Sequence, residues 1–127
     1  MPLPATILVV EDEQDQMTLL TQVLTRAGYH VVPAYGGEDA IHKVKTRKID
    51  LVVTDLAMPK VTGIELTRMI KTDPATRHIP VIAVTAHVWD SIGQAAGQAC
   101  CDGFLSKPYT AAKLIQLIHK HLEPAGT

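Results

Sequence analysis

Cysteine is nearly absent from this chain of 127 residues, and the two that occur are neighbours, Cys100 and Cys101. Adjacent cysteines cannot form an ordinary framework disulfide and lack the spacing of a zinc site, so both are expected to be small buried or half-buried thiols in a reducing compartment. Basic residues do not exceed acidic ones: 12 Lys and Arg stand against 13 Asp and Glu, for a net charge of -1. That balance offers no basic surface to track a phosphate backbone and argues against direct nucleic-acid binding. Long apolar runs are missing too, since Ile79 to Thr85 falls far short of the roughly 20 residues that span a bilayer. The opening residues, MPLPATILVVEDE, lack a basic segment followed by a long apolar block. No membrane insertion is expected, and the location read from these features is cytoplasmic. Finally, no glycine-rich loop follows the first apolar run, which speaks against a flavin or dinucleotide site.

What is present suits one globular unit. With 46% hydrophobic and 20% charged residues, a chain of this length can bury its apolar side chains in one core without staples. A single domain over residues 1–127 is expected, with its core between about 6 and 122. Ile7 to Val10 form an unbroken apolar run that stops at Glu11-Asp12-Glu13. Met17, Leu20, Leu24 and Ala27 then recur at helical spacing until Gly28, a helix stop. Tyr29 to Ala34 read as a second strand, and Pro33 within it, having no N–H for a ladder, argues for an edge position. Gly36-Gly37 marks a turn, and Ala40, Ile41 and Val44 mark a second helix. Leu51 to Val53 deliver Asp55 at a third strand end, after which Met58-Pro59 breaks regular structure. Gly63 precedes a third helix through Ile64, Thr67 and Ile70. Val81 to Val84 form a fourth strand ending at Thr85-Ala86. Trp89 to Cys100 predict a weak fourth helix with few large anchors, and Gly103 to Ser106 a fifth strand ending at Lys107-Pro108. A last helix over Thr110 to Leu122 carries Leu114, Ile115, Ile118 and Leu122 on one stripe.

Five strands alternating with five helices make an α/β fold, a doubly wound five-stranded parallel sheet covered on both faces. Pro33 favours an order with the second strand outermost, as in the flavodoxin-like order 2-1-3-4-5 that is taken over from known doubly wound sheets. In such sheets ligands gather beyond the carboxyl ends of the strands. Glu11, Asp12, Asp55, Thr85 and Lys107 would then share one rim. One Asp at a strand end can merely serve a turn, but matching chemistry at four strand ends is a constellation. Carboxylates this close repel one another, by roughly 4 kcal/mol for a pair 4 Å apart at an effective dielectric near 20. Lys107 offsets part of that, and an all-oxygen donor set suits a hard dication: Mg2+ keeping several waters, with Mn2+ able to take its place. A carboxylate in such a site can act as a nucleophile toward phosphorus, and being ionised at neutral pH it requires no general base.

These pieces together resemble the receiver domain of two-component response regulators: Glu11-Asp12, Asp55 followed by Met58-Pro59 and Gly63, Thr85-Ala86, and Lys107-Pro108. The likeness runs from about Ile7 to Leu122. It implies that Asp55 is the phospho-acceptor, taking a phosphoryl group from a phosphohistidine on a sensor histidine kinase or histidine phosphotransfer protein. It further implies that Asp12 and Asp55 ligate Mg2+ directly, Glu11 through water, and Ala57 by its backbone carbonyl. Thr85 and the Ala86 amide would bind phosphoryl oxygens, with Lys107 paired to the acyl phosphate and a cis bond before Pro108. Ala57 and His87, two positions after Asp55 and Thr85, occupy places that modulate water attack on the acyl phosphate. Phe104, three before the lysine, stands where an aromatic residue turns inward on activation. The downstream protein target would then be met on the face built from the Trp89–Cys100 helix, the fifth strand and the last helix, with no output domain in this chain.

Such a protein is a switch that assists its own phosphotransfer and autodephosphorylation, not a turnover enzyme. A phosphorylation-independent binding scaffold is one alternative, although the intact set of acids, hydroxyl and lysine sits awkwardly with it. A Mg2+-dependent aspartyl phosphatase is another. Such haloacid-dehalogenase-like enzymes carry a D-x-D pattern, whereas Ala57 follows Asp55 at two and leaves no acid for the leaving group. His119 and His121 point to different sides of their helix and do not form a metal pair.

Overall fold

A computed structural model describes residues 4–56, 62–85 and 101–122. The strands are β1 (Thr6–Val10), β2 (His30–Ala34), β3 (Leu51–Asp55), β4 (Val81–Thr85) and β5 (Gly103–Ser106). The helices among the described residues are α1 (Gln14–Arg26), α2 (Gly37–Thr46), α3 (Gly63–Thr72) and α4 (Ala111–Leu122). The strands form one parallel sheet in the order β2-β1-β3-β4-β5. The expected strand order is therefore observed. The helix read over Trp89 to Cys100 lies outside the described residues.

The sheet separates two apolar layers because side chains alternate along each strand. Leu8, Val10 and Val52 face one way, onto Ala40 and Val44 of α2 and Leu66 and Ile70 of α3. Ile7, Val9, Leu51, Val53, Ile82 and Val84 face the other, onto Met17, Leu20 and Leu24 of α1 and Leu114 and Ile118 of α4. Strands buried on both faces read as continuous runs of Val, Ile and Leu, the pattern visible in the sequence.

Element ends follow local chemistry. Gly28 has φ of 95°, the left-handed geometry that ends α1. Thr62 caps α3 by accepting from the Glu65 N–H at 3.2 Å. Thr110 does the same for α4 toward Lys113 at 3.2 Å, so the helix starts one residue later than the spacing suggests. Gly37 belongs to the first turn of α2, leaving Gly36 as its N-cap. On α4, Leu114 and Ile118 are buried as expected, whereas Ile115 and Leu122 are only half-buried.

Pro33 lies on edge strand β2, in register with Val9. The His30 N–H donates to the Ala5 carbonyl and the Glu11 N–H to the Ala34 carbonyl, each at 3.0 Å. Alternate residues His30, Val32 and Ala34 therefore turn their backbone groups to β1, and Val31 and Pro33 turn theirs outward. Lys43 of α2 donates to the outward Pro33 carbonyl. At the opposite end of the sheet, Lys71 Nζ donates to the Ile79 carbonyl at 2.8 Å and the Arg77 carbonyl at 3.2 Å, and pairs with Asp102 Oδ2 at 2.7 Å. The same Asp102 oxygen accepts from the Val81 N–H at 2.7 Å, joining the starts of β4 and β5 to the end of α3. No helix among the described residues is long and apolar enough to cross a membrane.

Candidate functional site

All five strands run parallel, so their carboxyl ends share one rim, and residues far apart in sequence meet there. Asp55 ends the central strand β3, in register with Val84 of β4. Thr85, the next β4 residue, is buried, and its carbonyl accepts from the Lys107 N–H at 2.9 Å. That bond carries the β4–β5 pairing one residue beyond β5, up to the rim. Lys107 Nζ then reaches Asp55 Oδ2 at 3.2 Å, a charge-assisted contact across 52 residues of sequence. The Lys107-Pro108 peptide is cis, as the resemblance implied.

The backbone of Asp55 is held firmly. The Thr54 hydroxyl donates to the Asp55 carbonyl at 2.8 Å, and the Gly63 N–H donates to the Leu56 carbonyl at 3.1 Å. A Cβ on Gly63 would overlap the Asp55 carbonyl oxygen and come within 2.8 Å of Leu56 Cα. Only glycine lets α3 begin this close to the strand carrying Asp55.

Glu11 is 96% buried at the end of β1, with 4% exposure, and its Oε2 accepts from the Glu13 N–H at 3.2 Å. Burial pushes its carboxyl above the ordinary value of 4.5. The neighbouring Asp12 and Asp55 carboxylates push the same way, while the Glu13 amide and the Lys107 ammonium oppose them. Asp12, Asp55 and Lys107 thus all act on Glu11, and three acids against one lysine leave an excess of negative charge. Glu11 and Asp12 also lie just before the N-terminus of α1, which favours negative charge.

An all-oxygen, acid-rich donor set fits a hard dication that keeps part of its water shell. Among the described residues no group of three or more His, Cys, Asp or Glu closes into a full side-chain cage. Such a cage is not needed by an ion held through one or two carboxylates and water.

The rim brings together Glu11, Asp12, Asp55, Thr85 and Lys107. Ala57, Ala86 and His87 lie outside the described residues, as do Met58, Pro59 and Trp89. Phe104 is 37% exposed on β5, turned outward. Tyr109 received no role from the sequence, yet Glu11 and Asp55 both act on it electrostatically. The signal available was its place two residues after the lysine that closes the rim. Beside the rim, between α1 and α4, a groove of about 550 Å³ is lined by Leu19, Leu20, Lys107, Tyr109 and Leu114 among others.

Parallel sheet, acidic rim and bridging lysine define the class. A family model described as the response regulator receiver domain matches residues 7–119, and the chain belongs to that family. Proteins of this class are generally switches and not enzymes of turnover. Among relatives, the chain is 32% identical over 123 residues to the polar-differentiation response regulator DivK of Brucella anthropi, covering 97% of this chain and 100% of that one. Among solved structures it resembles the receiver domain of sensor histidine kinase PA1611 from Pseudomonas aeruginosa, which has a magnesium ion coordinated in its active-site cleft. The TM-score is 0.89 at 27% identity, over 94% of this chain and 98% of that one. It also resembles the response regulator TrrA of Thermotoga maritima in complex with Mg2+ and BeF, with a TM-score of 0.80 at 30% identity, over 93% and 99% of the two chains.

Proposed function

We propose that Asp55 is the phospho-acceptor of a two-component or phosphorelay receiver, charged by a phosphohistidine on a sensor histidine kinase or histidine phosphotransfer protein in the cytoplasm. The observation that carries this reading is the ion pair of Asp55 with Lys107 at 3.2 Å, set within the acid cluster at the strand ends. An Asp55 oxygen attacks phosphorus, forming a P–O bond. The P–N bond breaks, and its electron pair stays on the imidazole nitrogen, which takes up a proton. Lys107 then pairs with the acyl phosphate, and the Thr85 hydroxyl with the Ala86 amide receives phosphoryl oxygens.

Asp12 and Asp55 would hold Mg2+ directly, Glu11 through water and Ala57 by its carbonyl, with Mn2+ an allowed substitute. Bound there, the ion supplies positive charge for the phosphoryl oxygens. The magnesium of the Pseudomonas receiver and the Mg2+ and BeF of TrrA support this assignment. Phosphorylation adds about 1.5 to 2 negative charges at the rim. That charge draws Thr85 toward it, and the outward Phe104 turns into the space released. The signal passes to a protein target on the face that includes β5, α4 and the Trp89–Cys100 segment. Ala57 and His87 set how readily water attacks the acyl phosphate.

Incubation with acetyl phosphate and Mg2+ should add one phosphoryl group by intact mass, and Asp55→Asn should add none. A variant that still takes the label would remove Asp55 from this role.

A further inference from the structure

Tyr109 follows Lys107-Pro108 directly and has no part in the reading above. Its ring is half-buried against the apolar layer of Met17, Leu20 and Leu114, and it lines the groove between α1 and α4 together with Lys107. Its hydroxyl has no hydrogen-bond partner among the described residues. Burial, and then the charges of Glu11 and Asp55, raise its pKa above the usual 10.0, so the proton stays on the oxygen at neutral pH. The result is a neutral donor, uncommitted, at the edge of an acidic site. An anionic phosphoryl donor approaching that site is repelled by Glu11, Asp12 and Asp55, and Lys107 is already paired with Asp55. A phenol can bond to such a donor without having to exchange partners.

We propose that Tyr109 is a positioning residue for phosphoryl transfer: its ring walls the approach from the α1–α4 groove, and its hydroxyl donates to a non-bridging oxygen of the incoming donor. This rests on Asp55 being the acceptor. The transfer keeps its balance: the P–O bond to Asp55 forms, the bond to the leaving atom breaks with its electron pair, and Tyr109 keeps its proton. Once the group is on Asp55, Lys107 and Thr85 hold its oxygens, so Tyr109 governs arrival and not lifetime.

The test compares wild type, Tyr109→Phe and Tyr109→Ala in Mg2+ with phosphoramidate as donor. It reads labelling rate, decay of the label, the midpoint of a beryllofluoride titration, and Tm. Tyr109→Phe should slow labelling about three- to tenfold, the size of one hydrogen bond, with decay, titration midpoint and Tm as in wild type. Tyr109→Ala should slow it further and lower Tm. Equal labelling rates for wild type and Tyr109→Phe overturn the inference alone. A loss of beryllofluoride affinity or a faster decay in Tyr109→Phe also overturns it, because the hydroxyl would then act on the bound group. A wild-type protein that takes no label removes the acceptor reading and this inference with it.

Discussion

Lys107 Nζ lies 3.2 Å from Asp55 Oδ2, tying the end of central strand β3 to the chain leaving edge strand β5. The pair is partly shielded, with side-chain exposures of 33% and 16% for Lys107 and Asp55. Lys107→Met keeps much of the stem and removes the charge. It should slow acetyl phosphate labelling by about tenfold or more, the loss of one charge-assisted hydrogen bond of about 1.5 to 3 kcal/mol. Rates from intact mass, with circular dichroism to confirm folding, check this; an unchanged rate would show that the ammonium takes no part in the transfer.

Gly63 has no room for a side chain. A Cβ would come within 2.9 Å of the Asp55 carbonyl carbon and overlap its oxygen, so Gly63→Ala must push α3 away from β3. The expected loss is about 1 to 3 kcal/mol, as for overpacking of a filled site, accompanied by slower labelling because Asp55 shifts with its backbone. Urea unfolding reads the first effect and mass spectrometry the second.

The Lys71–Asp102 contact should matter for stability without touching the rim. Asp102→Ala leaves the Val81 N–H and the Lys71 ammonium without their shared acceptor, at a cost of about 2 to 3 kcal/mol. A double-mutant cycle with Lys71→Met isolates the pairwise part. Coupling near zero would mean that Lys71 is held by the Ile79 and Arg77 carbonyls alone.

Glu11 gives the metal-free protein a pH dependence of definite sign. Its carboxyl is raised above 4.5 in the folded state, so the fold favours the protonated form. The stability this group contributes is complete below pH 4.5 and is lost as pH rises through the raised folded value. At neutral pH Glu11→Gln should therefore raise the Tm of metal-free protein by a few degrees, and the gain should vanish near pH 4. Added Mg2+ should stabilise wild type more than the variant. Thermal melts from pH 4 to 8, with and without Mg2+, check both arms.

Much of this was legible in the sequence because parallel strands buried on both faces are written as plain apolar runs. Four of the five runs lead into a residue whose chemistry differs from a core residue: Glu11, Asp55, Thr85, Lys107. Pro33 announced the edge because it cannot donate to a ladder. Other features depend on distance in space. Nothing in the residues around Gly63 tells that its α-carbon faces the Asp55 carbonyl, and the 30 residues between Lys71 and Asp102 hide their contact. Tyr109 stood in plain view after Lys107-Pro108, but an aromatic residue in a loop carries no sign of which charges surround it. The α4 stripe was blurred for a similar reason: periodicity finds the face, while neighbouring helices decide that Ile115 is only half-buried beside α1.

The outer margin of β2 has one further effect. Of the residues in that strand, only Val31 turns an intact pair of backbone groups outward, since Pro33 has no N–H and its carbonyl is taken by Lys43. An extended segment from another molecule would find one rung and then a gap. The sheet is closed on that side to lengthening by strand addition, which guards a signalling protein against clumping when it is crowded.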